Sequence, residues 1–131
     1  MTSPDTTPSE SPADAGSVVD VAPEVSTSTP SPGVALVTVV GELTAEARKP
    51  LIRVVTDLLL GEDPPKKMQL DLHGVTFLNS AGLSTVVQLH RMLEGRGSEL
   101  QLLVGSTAVA RPLQLSGLWH RFQIVDGRHT T

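Results

Sequence analysis

Residues 71–83 read Asp71-Leu72-His73-Gly74-Val75-Thr76-Phe77-Leu78-Asn79-Ser80-Ala81-Gly82-Leu83, and two periodicities meet within them. Met68 to Leu72 is a short apolar run with a polar interior, set between Pro64-Pro65 and Gly74. That pattern suits a strand buried on both faces. Val75 and Phe77 alternate with Thr76, so the chain is expected to stay extended past Gly74. Asn79 and Ser80 are both residues that cap helix N-termini well. From Gly82 a helical period takes over, with Gly82, Val86, Leu89 and Leu93 at i, i+4, i+7 and i+11. A small hydroxyl, Ser80, therefore stands where a strand hands over to a helix. Unpaired N–H groups and the macrodipole favour an anion at such a point.

Upstream, Val34 to Val40 is β-branched and ends at Gly41, which predicts a strand. Pro50 lies near the first turn of the next helix, and Leu51, Val54, Val55, Leu58 and Leu59 form its apolar face up to Gly61. Residues 62–67 read as a solvated loop. Downstream, the helix begun near Ser80 runs to about Glu94 and stops at Gly95-Arg96-Gly97. Leu100 to Val104 predicts another strand. Ser106 is placed to cap a helix reaching about Leu115, with Pro112 expected to bend or shorten it. Phe122 to Val125 predicts a last short strand.

The N-terminal quarter behaves differently. Residues 1–16 are mostly Pro, Ser, Thr, Asp and Ala and predict a disordered tail, because they cannot bury enough apolar surface to offset ordering entropy. Residues 17–33 hold a candidate edge strand over Ser17 to Ala22. A Pro/Ser/Thr-rich loop follows over Ser26 to Gly33, and whether residues 17–25 join the sheet stays open. The domain proper is expected over residues 34–126, with a polar tail over 127–131. The order of elements, strand and helix in alternation, predicts an α/β layer protein with mostly parallel strands.

The 131 residues carry a formal net charge of −4 and no cysteine. No basic run with interleaved aromatics is present, which argues against a nucleic-acid surface. The missing thiols exclude a disulfide framework and a zinc–thiolate site. No apolar run approaches the roughly 18 residues needed to span a bilayer, and no cationic apolar leader stands at the start. The expectation is a cytoplasmic protein that does not insert into membranes. His73, His90, His120 and His129 are scattered without ligand spacing, so neither metal nor cofactor is expected. Ser80-Ala81-Gly82 is not a nucleophile elbow, no glycine-rich phosphate loop occurs and no acid–base constellation stands out. The chain is thus expected not to be an enzyme.

The pattern Leu70-Asp-Leu-x-x-Val-x-Phe-x-Asn-Ser-Ala-Gly-Leu83 resembles the signature of the STAS domain, the fold of bacterial anti-sigma factor antagonists. Gly41-Glu-Leu-Thr44 resembles that family's Gly-Glu-Leu-Asp turn. The stretch from Leu100 to Leu118 is similar to its C-terminal half. The resemblance covers about residues 34–125 and implies a mixed central sheet with helices packed mainly on one side. It implies that Ser80 is phosphorylated by a partner kinase that doubles as the anti-sigma factor. The unphosphorylated protein would bind that partner and free a sigma factor, a phosphatase would restore it, and it would be a monomer or weak dimer. Two positions depart from the family pattern: Asn79 and Thr44 stand where it usually has Asp. Both remove a negative charge near Ser80 and put the efficiency of phosphorylation in doubt. A different role on the same fold, a phosphorylation-independent adaptor or small subunit of a transport or stress-signalling assembly, therefore stays open.

The expected docking surface combines the motif with the helix wheel. If Gly82, Val86, Leu89 and Leu93 face the sheet, Ser84, Gln88 and Arg91 lie opposite and form a polar stripe with Ser80. Asn79, Ala81, Gly82, Glu42 and Thr44 complete the candidate partner-binding set. Gly82 is expected to permit either close helix–sheet contact or access to a free backbone N–H.

Overall fold

The computed structural model describes residues 21–128. The expected N-terminal tail, most of the candidate strand at Ser17 to Ala22, and His129 with the last two residues lie outside them. Among the described residues, five strands and three helices follow one another: β1 Glu24–Ser31, β2 Val34–Leu43, α1 Arg48–Leu60, β3 Lys67–Leu78, α2 Ser80–Glu94, β4 Glu99–Val104, α3 Thr107–Leu115 and β5 Gln123–Asp126. Short 3-10 turns at Ala45–Ala47 and Leu118–His120 precede α1 and β5. The strands lie side by side in chain order. β1 is antiparallel to β2, and every later pairing is parallel, so the sheet is mixed.

The core occupies one face of the sheet. Ala35, Met68 and Leu100 are cross-strand neighbours, as are Val37, Leu70 and Leu102, and all six are buried. Leu51, Val55 and Leu59 of α1, Val86, Leu89 and Leu93 of α2, and Val109, Ala110 and Leu113 of α3 join that cluster. The opposite face alternates with it and is mixed: Leu36, Leu103 and Val125 share it with polar residues, Gln69 Nε2 donates to Gln101 Oε1 at 2.8 Å, and Asp71 and His73 follow along the strand. The motif strand is therefore buried on one face, not two. Its internal polar residues, Gln69 and Asp71, mark the uncovered side.

One boundary differs from expectation. The stretch expected as a loop, Ser26 to Gly33, is most of β1, and its connection to β2 is the tight turn Pro32-Gly33. Gly33 sits at φ 79°, a conformation that favours glycine at this corner. The register shifts between Ser28 and Ser31, and Pro30 lies in that stretch of an edge strand, where a missing N–H is tolerated. Val21 and Ala22 carry no strand. As expected, β3 stays extended past Gly74, and it remains paired with β2 to Leu78. Three residues of β2, Thr38 to Val40, face four of β3, Asp71 to Gly74, so the glycine marks a bulge. A Cβ on Gly74 would come within 3.0 Å of Val40 Cγ2.

α3 runs past Pro112 to its expected end at Leu115. Ser106 stands at its N-cap but makes no capping bond, and its Oγ is buried with no partner among the described residues.

Candidate functional site

The strand-to-helix corner after β3 is built by backbone and side chain together. Asn79 N donates to Leu43 O at 3.3 Å, which ties the corner to the end of β2. Asn79 has extended dihedrals, and its Oδ1 accepts from Gly82 N at 3.0 Å. Asn79 is therefore the cap of α2, and Ser80 is the first residue inside the helix. Ser80 is exposed, and its Oγ has no hydrogen-bond partner among the described residues. Of the two cap candidates in the sequence, Asn79 makes the capping bond and the Ser80 side chain does not.

Gly82 is buried, and a Cβ there would run into the Leu43 carbonyl oxygen. Close helix–sheet contact is thus its role, and its N–H is already taken by Asn79. Thr44 is only 3% exposed. It caps the 3-10 turn, with Oγ1 accepting from Glu46 N at 3.4 Å. Both positions where the resemblance expects an acid are thus filled by neutral caps. Thr44 and Gly82 can serve a docking surface only by fixing the corner, because neither side of the corner exposes them.

Glu42 is exposed and pairs with Phe77 across β2 and β3. Phe77 is 48% exposed, an aromatic three residues before Ser80. Both lie at the carboxyl ends of parallel strands, the end of an open α/β sheet where sites collect. On the other side of the corner, Ser80, Ser84, Gln88 and Arg91 line one shallow groove of about 640 Å³. The expected polar stripe is a single surface. Its floor and far wall were missed: Leu83 and Val87 of α2, and Leu118 after α3, also line it. Leu83 and Val87 are i, i+4 neighbours flanking the stripe, a spacing visible on the helix wheel. Leu118 is brought in only by tertiary packing.

The remaining ionisable groups serve other ends. His73 Nδ1 lies 2.7 Å from Asp71 Oδ1, and its ring covers Gly105 and Gly127, where a Cβ would run into it or crowd it. His90 packs edge-on against Phe122 at 5.2 Å. Arg128 donates to both carboxylate oxygens of Asp126, at 2.9 and 2.8 Å, and those bonds hold the Asp126 carboxyl below its ordinary range. Among the described residues no three His, Cys, Asp or Glu stand together to hold a metal ion. No helix among them is long and apolar enough to cross a membrane.

A family model for the STAS domain matches residues 27–130. The chain belongs to the STAS domain family. Solved structures with similar architecture agree. An anti-sigma factor antagonist from Mycobacterium paratuberculosis is 25% identical, with a TM-score of 0.63 over 77% of this chain and 85% of that one. The anti-sigma factor antagonist SpoIIAA in its unphosphorylated form is 21% identical, with a TM-score of 0.66 over 79% and 87% of the two chains. A sulfate transporter family protein from Wolinella succinogenes is 19% identical, with a TM-score of 0.64 over 73% and 78%. None of the curated proteins matches the chain in sequence. The same STAS fold thus occurs in proteins described in two different settings.

Proposed function

We propose that this STAS domain is an anti-sigma factor antagonist that docks through the Ser80 corner onto a kinase-type anti-sigma factor. Docking frees a sigma factor, and phosphorylation of Ser80 by the same partner ends it. The observation that carries this reading is the division of labour at the corner. Asn79 caps α2, and Ser80 stands exposed beside it at the edge of the groove, free to be modified without cost to the fold. Phosphate adds close to two negative charges and three acceptor oxygens. At a helix N-terminus those charges are favourably placed, so the helix would persist. Against a partner seated over Leu83, Val87 and Leu118, the same charges would have to lose water, and binding would fail.

The domain acts here as a binding module and a kinase's substrate, in the cytoplasm where ATP is present, as a monomer or weak dimer. A phosphatase returns it to the binding form. Asn79 in place of an acid leaves a kinase only a dipole with which to orient the serine. Binding of wild type, Ser80→Ala and Ser80→Asp to kinase-type anti-sigma factors tests the reading. Ser80→Ala should bind as wild type does, and Ser80→Asp should lose at least about tenfold, or about 1.4 kcal/mol. Mass mapping after reaction with the kinase and ATP should place one phosphate on Ser80. Phosphate elsewhere would sink the switch.

The neutral caps Asn79 and Thr44 favour one other reading, a phosphorylation-independent STAS adaptor such as the small subunit of a transport or stress-signalling assembly. Under it, all three proteins bind their partner alike.

A further inference from the structure

A second concavity, of about 510 Å³, opens on the other side of Gln88 from the Ser80 groove. Arg48, Lys49, Ile52 and Arg53 of α1 line it, with Gln88 of α2 belonging to both hollows. Arg48 Nε donates to Gln88 Oε1 at 3.0 Å, so the boundary between the hollows is itself a bridge between the helices. Arg48, Lys49, Arg53 and Arg91 are exposed, and among the described residues none lies in a salt bridge. A single carboxylate, Asp57, shares the second hollow. In a chain whose acids outnumber its Lys and Arg, 14 to 10, three cations line this hollow with one acid, and Arg91 lines the docking groove next to it. Half-buried Ile52 lines the hollow among them, a mixture suited to a protein surface more than to a small free anion.

We propose that this basic arc is the second lobe of the docking surface and receives a carboxylate-rich face of the partner that covers Ser80. The proposal rests on the docking reading above and adds to it the partner's charge. Such a face draws the two proteins together over a distance, which raises the association rate more than the final affinity. It also explains why a phosphate on Ser80 would act strongly. The partner's acids, attracted by the arc, would be repelled by the phosphate at the other end of the same joined groove.

The test is binding kinetics of the full chain with a kinase-type anti-sigma factor, at low and high salt, for wild type, Lys49→Glu/Arg53→Glu and Ser80→Asp. The double variant should lose about tenfold or more in affinity, mostly in association rate, and wild type should approach it as salt rises. Both changed side chains are exposed, and a thermal melt checks that the fold is retained. Lys49→Gln/Arg53→Gln, expected to lose about threefold, decides the matter if the charge reversal fails to fold. If the double variant binds as wild type does while Ser80→Asp loses binding, the arc is overturned and the Ser80 reading stands. If wild type binds no such partner, both are overturned.

Discussion

The hydrogen bond from Gly82 N to Asn79 Oδ1 satisfies one of the donors that every helix leaves open at its start. Removing it with Asn79→Ala should cost about 1 kcal/mol of stability, whereas Ser80→Ala should stay within about 0.5 kcal/mol. Urea denaturation of the two variants measures the difference. Equal losses would mean that Ser80 shares the cap. The sequence could not separate the two, because Asn and Ser rank alike as caps and stand next to each other. What chose between them is the position of the Leu43 carbonyl, which receives Asn79 N and so fixes where the helix begins. The residues of the polar stripe were legible because helical spacing alone puts Ser84, Gln88 and Arg91 with Ser80. Burial of Thr44 was not, since it depends on how the turn after β2 folds back under α2.

At the scale of elements, the helices and the parallel strands were legible from apolar spacing, and β1 was not. Its side chains are Ser, Thr and Pro because a strand at the sheet's edge is mostly exposed on both faces, and polar residues without alternation read as a loop. Val25 is the exception, half-buried and packed against the core. Its truncation in Val25→Ala should cost about 1–2 kcal/mol as apolar area returns to water, while Thr27→Ala, beside it and exposed, should change stability by less than about 0.5 kcal/mol. Chemical denaturation of both checks whether the strand contributes through that one side chain. The bulge in β3 was hidden for a related reason. A glycine in an extended run signals either an end or a kink, and only the facing Val40 tells which.

For the whole molecule, the question is whether a charge at Ser80 works by unfolding or by masking. The core lies between the helices and one face of the sheet, and Ser80 is outside it. Ser80→Asp should therefore leave stability unchanged or raise it by about 0.3–1 kcal/mol, through the favourable placement of an anion in the first turn of α2. A thermal melt beside the binding measurement gives the answer. Lost binding with an intact or raised Tm is the expected pair, and lost binding with a depressed Tm would point to damage in place of a switch.

The contact between Gly82 and the Leu43 carbonyl carries a further consequence. Because the backbone at the corner is pinned there, the domain has little room to change shape when Ser80 is modified. On the proposed reading, a phosphate at that hydroxyl would be a chemical mark on a rigid surface, legible only to a molecule that touches it. Such a record would not decay by relaxation of the fold. Its lifetime would be set from outside, by the enzyme that writes the mark and the enzyme that erases it.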